Sequence, residues 1–322
     1  MLEIDEKHQD QRLDNFLASV CKGVPKSHLF RVIRSGEVRV NSKRAEAKTK
    51  LGLGDVVRVP PIKVQEKQEI STNTEQNSRS IQALLKAASA IPVLYEDPWL
   101  LAVNKPSGMA VHGGSGASFG LIECIRALRA DTSDDLELVH RIDRETSGVL
   151  IISKKRSALR RLQEQLRNRT WKKFYQTLVL GQWPTSLRQV DLPLLKIQAS
   201  EKEQRVFVDD RGDKALTKFT IIQRYSLNSS AYTLLQAQIL TGRTHQIRVH
   251  TSANRCPIAG DDRYGDFDVN KKLAQAGLKR MFLHAARLHL THPQSNETIV
   301  IDAPLAPELD QFLNSLKAVP NP

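Results

Sequence analysis

The densest reactive chemistry in the chain lies in residues 140–148, which read His-Arg-Ile-Asp-Arg-Glu-Thr-Ser-Gly. Apart from Ile142, every residue ahead of Gly148 is polar or charged, and the stretch runs directly into Val149-Leu150-Ile151-Ile152. A short apolar run after a turn signal reads as a buried strand. The charged cluster then sits in the loop feeding that strand, where reactive side chains are often carried. In an extended loop Arg141 and Asp143 point to the same side, because side chains alternate with a period of two. A cation beside Asp143 keeps the carboxylate ionised, as a nucleophile requires. Surface charge clusters are common and mostly solvated. On its own, therefore, the stretch reads as a surface ion-pair loop, and it needs partners from elsewhere in the chain to be more.

Three other stretches offer such partners. Lys172–Leu180 is a strand by β-propensity. It carries Tyr175, which spacing alone assigns to a packed core or rim. Thr241-Gly242-Arg243-Thr244-His245-Gln246-Ile247-Arg248-Val249-His250 follows a strand at Tyr232–Leu240, and Thr241 or Gly242 is placed to cap a helix. His245 and His250 are five apart and so fall on different faces of a helix, unlike the i, i+4 pair of a zinc helix. Val111–Gly116 is a flexible glycine loop able to approach a phosphate, but it lacks the strand-to-helix setting of a P-loop and no GxxxxGK[ST] pattern occurs. Three scattered cysteines, Cys21, Cys124 and Cys256, with no CxxC pair, argue against both a disulfide framework and structural zinc. They suit a reduced, cytoplasmic protein.

Around these stretches the chain organises into two parts and a connector. Leu13, Phe16, Leu17 and Val20 share a helix face. A second helix follows Pro25, with Ser27 as its expected N-cap and Leu29, Val32 and Ile33 apolar. Short strands are expected at Val38–Asn41 and Val56–Val59. Residues 63–90 lose apolar periodicity and read as a polar linker with a short helical patch at Leu84 and Leu85. Beyond it lie strands at Val93–Glu96, Trp99–Val103 and Phe219–Tyr225, a basic helix through Leu159, Leu162 and Leu166, and a late hairpin pairing Leu288–Thr291 with Thr298–Ile301.

Global charge names the class of partner. The chain of 322 residues carries a net charge of +13, which calls for a polyanion, either nucleic acid or an acidic membrane surface. Between Lys22 and Lys63 there are eleven Lys or Arg against three acids, the mark of a phosphate-binding face. A hydrophobic content of 40% supports a real core and excludes a disordered chain. No run of about 18 apolar residues is present, so no membrane span is expected. The acidic N-terminus Met1-Leu2-Glu3-Ile4-Asp5-Glu6 is not a signal peptide.

Taken together these motifs resemble a known family. Arg12–Leu17, Ser27–Ile33, Gly36–Asn41 and Gly54-Asp55 are similar to the S4-like RNA-binding domain. Residues 140–148, Lys173-Phe174-Tyr175 and Gly242–His250, with Asn104-Lys105-Pro106-Ser107-Gly108 and Gly260–Gly265, resemble the RluA-type pseudouridine synthases, with order and detail closest to the RluC branch. Ile142 stands where Leu is usual, and Glu145 where Asp is frequent. The resemblance implies an α+β protein: an S4-like domain over 1–62, a linker over 63–90, and a catalytic domain over 91–322 built on a mixed, largely antiparallel sheet. It implies site-specific isomerisation of uridine to pseudouridine in large-subunit (23S) ribosomal RNA, by a cytoplasmic monomer without metal or cofactor. Asp143 is the implied catalytic carboxylate, Arg248 its partner, and Tyr175 the ring that stacks on the flipped-out base. Arg141 is implied to fill the vacated space, with Lys105 and Arg243 as phosphate or base contacts. Arg31, Arg34, Lys43 and Arg44 are the expected RNA-binding cations of the N-terminal domain.

Two other functions compete. One is a non-catalytic RNA-binding or ribosome-assembly factor, which intact Asp143, Tyr175 and Arg248 argue against. The other is a glycoside hydrolase using Asp143 and Glu145. Two positions apart they are too close for an inverting pair, and the excess of cations does not suit neutral sugars.

Overall fold

The elements near the N-terminus follow apolar spacing closely. The computed structural model describes residues 1–5, 8–21, 24–61, 86, 88–113, 120–129, 136–198 and 204–320. The linker reading for 63–85, its patch at Leu84 and Leu85, and residues 114–116 of the glycine loop lie outside the described residues. The chain divides into two units, Met1–Asn77 and Ser78–Pro322.

In the first unit, β1 (Leu2–Glu3), α1 (Leu13–Val20), α2 (Lys26–Ser35), β2 (Arg39–Val40), β3 (Lys43–Arg44) and β4 (Val56–Arg58) form two helices and an antiparallel sheet ordered β1-β4-β2-β3. Leu13, Phe16 and Leu17 meet Leu29, Val32, Ile33, Val38 and Val57 in one small core. Helix α2 begins two residues earlier than expected. Its N-cap is Pro25, which makes no side-chain cap bond, so Ser27 lies inside the first turn. Proline presets φ for a helix start, and that overrides the serine signal.

The second unit contains β5 (Val93–Glu96), β6 (Leu100–Lys105), α3 (Leu121–Leu128), β7 (Glu137–Leu138), β8 (Ser147–Ser153), α4 (Arg156–Arg167), β9 (Lys172–Leu180), β10 (Gln189–Asp191), β11 (Leu194–Gln198), β12 (Gln204–Val208), β13 (Leu216–Leu227), β14 (Ser230–Ile239), α5 (Gln246–Ala253), α6 (Phe267–Gln275), β15 (Leu283–Thr291), β16 (Thr298–Asp302), α7 (Pro307–Ser315) and β17 (Lys317–Val319). Eleven of these strands make one sheet, whose main path is β10-β13-β14-β9-β15-β8-β6-β5. Every pairing in it is antiparallel except β8 with β15. The expected mixed, largely antiparallel sheet is what forms. The late hairpin is present as β15–β16, with Leu288 opposite Ile301.

Both faces of the sheet are covered, which accounts for the unbroken apolar run after Gly148. Leu150 and Ile152 join one core with Leu101, Val103 and residues of α3, α6 and α7. Val149 and Ile151 join another with Leu100, Ala102, Trp171 and Leu159 and Leu162 of α4. Alternation along a strand serves two cores at once when each face has its own cover. Gly148 opens β8 with φ +113°, and a Cβ there would lie 2.2 Å from the Ala285 carbonyl oxygen. Only glycine admits the close approach of β15 at this point.

Candidate active site

Residues 140–147 form no regular element except the first residue of β8, yet the segment is held at several points. The Thr146 N–H donates to the Asp143 carbonyl at 3.1 Å, closing a turn. The segment 104–109 is stitched to it from the side. Gly108 N–H donates to the Arg144 carbonyl at 2.9 Å, Ser107 Oγ to the Glu145 carbonyl at 2.7 Å, and Arg144 Nε to the Gly108 carbonyl at 2.8 Å. Lys105 is the centre of this stitching. Its side chain is fully buried, and Nζ donates to the carbonyls of Pro106, Met109 and Arg144 at 2.9, 2.7 and 2.9 Å. An ammonium has three donors, and here all three are spent on backbone. Lys105 therefore does not face RNA as expected; it braces the loop carrying Asp143. Burial draws its pKa down to about 7.

The Asp143 carboxylate, 25% exposed, turns Oδ2 toward two groups from α5 and its start. His245 Nε2 and Arg248 Nη1 each lie 3.9 Å from that oxygen. The nearby cation is thus Arg248, from a helix a hundred residues on in sequence, rather than the chain neighbour Arg141. Arg248 is itself anchored. Its Nε and Nη2 donate to Asp261 Oδ2 and Oδ1, both at 2.7 Å. Arg248 and Asp261 are 4% and 1% exposed. Such a forked, charge-assisted pair is of the stronger kind. Burial alone would raise the Asp261 pKa, but the bonds and charge of Arg248 reverse that and hold it low. The expected Arg248–Asp143 pair is therefore a longer contact made by the one guanidinium nitrogen that Asp261 does not use.

His245 carries its own constraint. It sits in the left-handed region at φ 54°, as the N-cap of α5, where Thr241 or Gly242 was expected. Tyr264 Oη accepts from the Val206 N–H at 3.3 Å and is hydrogen-bonded to His245 Nδ1 at 2.8 Å, which orients the ring with Nε2 facing Asp143. Burial pulls the His245 pKa down to about 4. Gln246 locks the turn before the helix. Its Oε1 accepts from Thr241 Oγ1 at 2.7 Å and from Arg243 N–H at 3.1 Å. Its Nε2 donates to the Leu216 carbonyl at 3.0 Å and to Thr217 Oγ1 at 2.9 Å. His250 lies away from the cavity, bonded to Thr217 and the Leu192 carbonyl.

These groups open on a cavity of about 410 Å³ lined by Arg141, Asp143, Tyr175, Arg243, His245 and Arg248, among others. That volume is in the range of small-molecule sites. Tyr175 is 8% exposed. Burial, and then the Asp143 charge, raise its pKa above the ordinary phenol value, so it faces the cavity as the neutral phenol. Glu145 does not line the cavity and lies 3.6 Å from Arg144, which removes the second carboxylate that a hydrolase would need. His140 is a scaffold: its Nε2 accepts from the Ile151 N–H at 3.0 Å. Burial takes its pKa down to about 3.

Comparison with known proteins is decisive on the family. Residues 99–253 match the family described as RNA pseudouridylate synthase, and residues 11–57 match the S4 domain. A protein of Pasteurella multocida, "Ribosomal large subunit pseudouridine synthase C", is 49% identical over 317 residues, 98% of this chain and 94% of that one. The protein of that name from Escherichia coli is 50% identical over 309 residues, 95% and 93% of the two chains. The chain belongs to the RluA-type RNA pseudouridine synthases, in the RluC branch. Among solved structures, "Human RNA Pseudouridylate Synthase Domain Containing 4" matches 76% of this chain and all of its own with TM-score 0.58 at 24% identity, a likeness of fold.

In this synthase the remaining expected RNA contacts are distributed over both units. Arg141 is exposed and lines the cavity. Arg243 also lines it, with Nη1 3.2 Å from Asp213 and Nε donating to the Lys214 carbonyl at 3.2 Å. In the S4 unit, Arg31, Arg34, Lys43 and Arg44 are exposed, and Arg44 Nη2 donates to the Arg34 carbonyl, drawing β3 and the end of α2 together. Among the described residues no group of three His, Cys, Asp or Glu could hold a metal ion, and no helix is long and apolar enough to cross a membrane. Asp261, Gln246 and Tyr264 were not expected in the site. The signals available were Gly260–Gly265 for Asp261 and Tyr264 and Gly242–His250 for Gln246, which resemblance marked without giving these three residues a role.

Proposed function

We propose that this synthase converts specific uridines to pseudouridine in large-subunit ribosomal RNA, with Asp143 acting on a uridine turned out of its stack. The observation carrying this reading is Asp143, the single carboxylate among the described residues lining the cavity: Oδ2 faces His245 and Arg248, and Tyr175 lines the same space. The reaction breaks the N1–C1′ bond, turns the base and rejoins it through C5, with no net redox change. One carboxylate suffices, either attacking the ribose or taking its 2′ proton. Since His245 and Arg248 both address Oδ2, Oδ1 is left for the sugar.

The base must leave its stack to reach such a site. Tyr175 offers a ring to stack against, and exposed Arg141 is suited to the space the base vacates. Arg243 is a base or phosphate contact at the rim. Arg31, Arg34, Lys43 and Arg44 grip RNA through the S4 unit, with 1–62, 63–90 and 91–322 serving as RNA-binding domain, linker and catalytic domain. The names of the relatives support the ribosomal substrate. The synthase works as a cytoplasmic monomer without metal or cofactor, on large-subunit RNA or its assembly intermediate.

Asp143→Asn keeps the shape and removes the charge. It is expected to abolish pseudouridine formation while RNA affinity stays within about threefold. Base-resolution mapping of ribosomal RNA from cells with and without the gene identifies the uridines. Product formation by the Asn variant would remove Asp143 from the chemistry.

A further inference from the structure

One wall of the cavity holds a cation with no anion among the described residues. Lys173 and Tyr175 are two apart on β9, so their side chains leave the same face of the strand, and both line the cavity. Among the described residues no carboxylate and no hydrogen-bond acceptor pairs with the Lys173 ammonium. Its recorded neighbour is the Trp171 ring, whose centroid lies 5.5 Å from Nζ. His140 cannot accept from it, since the His140 Nε2 lone pair is taken by the Ile151 N–H and Nδ1 then carries the ring proton. Arg169, at the end of the α4 turn, lines the same cavity. Lys173 is half-buried, and an ammonium partly withdrawn from water is costly unless something answers its charge; among the described residues no anion does so. Burial accordingly brings the Lys173 pKa down to about 8.

We infer that the Lys173–Arg169 side of the cavity is a phosphodiester subsite, which receives a backbone phosphate flanking the uridine addressed by Asp143 and Tyr175. The inference rests on the reading of the cavity as a uridine site. It gives Lys173 a role in binding, apart from the chemistry at Asp143. It also accounts for a lysine two positions before the buried Tyr175: a compact point charge fits beside Trp171 and finds its partner only when RNA enters.

The pH response separates this role from the others. The titratable groups lining the cavity are His140, Asp143, Lys173, Tyr175 and His245, and the fixed cations are Arg141, Arg169, Arg243 and Arg248. Burial holds both histidines neutral and Tyr175 protonated above neutral pH, so among the groups lining the cavity Lys173 titrates between pH 7 and 9.5, while Lys105, behind the Asp143 loop, is drawn down to about 7. Only the charged amine answers a phosphate, so affinity is full below the free-enzyme pKa and declines as pH rises past it.

The test uses the full chain, an RNA fragment that the wild type modifies, and the variants K173R and K173M. Wild-type affinity is expected to fall above about pH 8. K173M is expected to bind about ten- to a hundredfold more weakly at pH 7, independently of pH. Its slope of log affinity against log salt should be shallower by about 0.7, the share of one single-strand phosphate. K173R should restore affinity and hold it through pH 9.5. A methylphosphonate in place of the flanking phosphate should weaken wild type as K173M does, and weaken K173M no further. K173M should melt no lower than wild type, because it removes an unanswered buried charge. Unchanged affinity and salt slope in K173M would overturn the inference, as would a lowered melting temperature with an affinity loss that K173R does not repair. Should D143N abolish product while K173M binds like wild type, the phosphate subsite alone fails. Should D143N still form product, the uridine reading fails first.

Discussion

Replacing Asp261 by alanine would deprive the buried Arg248 guanidinium of its forked partner. The carboxylate meets the guanidinium with two bonds of 2.7 Å, and its Oδ1 also accepts the backbone N–H groups of Arg263 and Tyr264 at 2.9 and 3.0 Å. Removing one partner of a buried pair costs about 3–5 kcal/mol, and the two orphaned N–H groups put this case toward the upper end. For a unit of this size that is a drop of roughly 6–20 °C in melting temperature. The assay is urea unfolding and thermal melting followed by circular dichroism, with product formation measured on the same samples. The Asp261 pKa lies below its ordinary value, so its contribution is present above the unfolded value of about 4 and is lost as pH falls through the folded one. The acid limb of the wild-type stability curve should therefore be steeper than that of D261A. Removing both charges, as Asp261→Leu with Arg248→Met, should recover all but about 1–2 kcal/mol, while product formation stays absent. Stability of D261A within about 0.5 kcal/mol of wild type, or a double variant weaker than D261A, would refute the reasoning.

Three further outcomes follow from the same geometry. Lys105→Met should cost about 2–4 kcal/mol, because carbonyls gathered around Nζ lose their donor, and the saturated rate should fall with it as the Asp143 loop loosens; Lys105→Arg should not rescue either, the enclosed space having no room for a planar fork. Tyr175→Ala should lose about 1–3 kcal/mol of RNA binding by removing a stacking face, whereas Tyr175→Phe should keep it, and no activity limb from tyrosine ionisation should be seen below pH 10, given the raised pKa. Converting Arg31, Arg34, Lys43 and Arg44 to Gln should reduce the salt slope of RNA binding by up to about 3–4 and weaken binding uniformly across sequences, measured by fluorescence anisotropy.

Much of this protein is encoded in near neighbours along the chain. The apolar spacings of α1, α2 and α4, the strand character of β9 and the turn before β8 are local, and each formed close to where periodicity and turn chemistry put it. Short cap signals were less reliable: Ser27 lost to Pro25, and Thr241 and Gly242 lost to a left-handed His245. The reason is that a cap is decided by which of several adjacent polar groups reaches the first turn, and tertiary bonds such as those of Gln246 to Leu216 and Thr217 settle that choice.

The sequence by itself determined the candidate residues: Asp143 in its charged loop, Tyr175 on a strand, Arg248 in a third motif, and a basic face in the first sixty residues. The tertiary structure alone decided how they are used. Resemblance marked Lys105 as an RNA contact, but it turns inward to the Arg144 carbonyl 39 positions away. Arg248 looked like the partner of Asp143, but Asp261 takes its fork, leaving one nitrogen for the carboxylate. Lys173 looked like the flank of a motif, yet it stands in the cavity wall without an anion. Residue type and local period set what a side chain can do and which way it leaves its own element. What it meets there depends on chain segments tens of residues distant, brought together by the pairing of β8, β9 and β15 and the placement of α5.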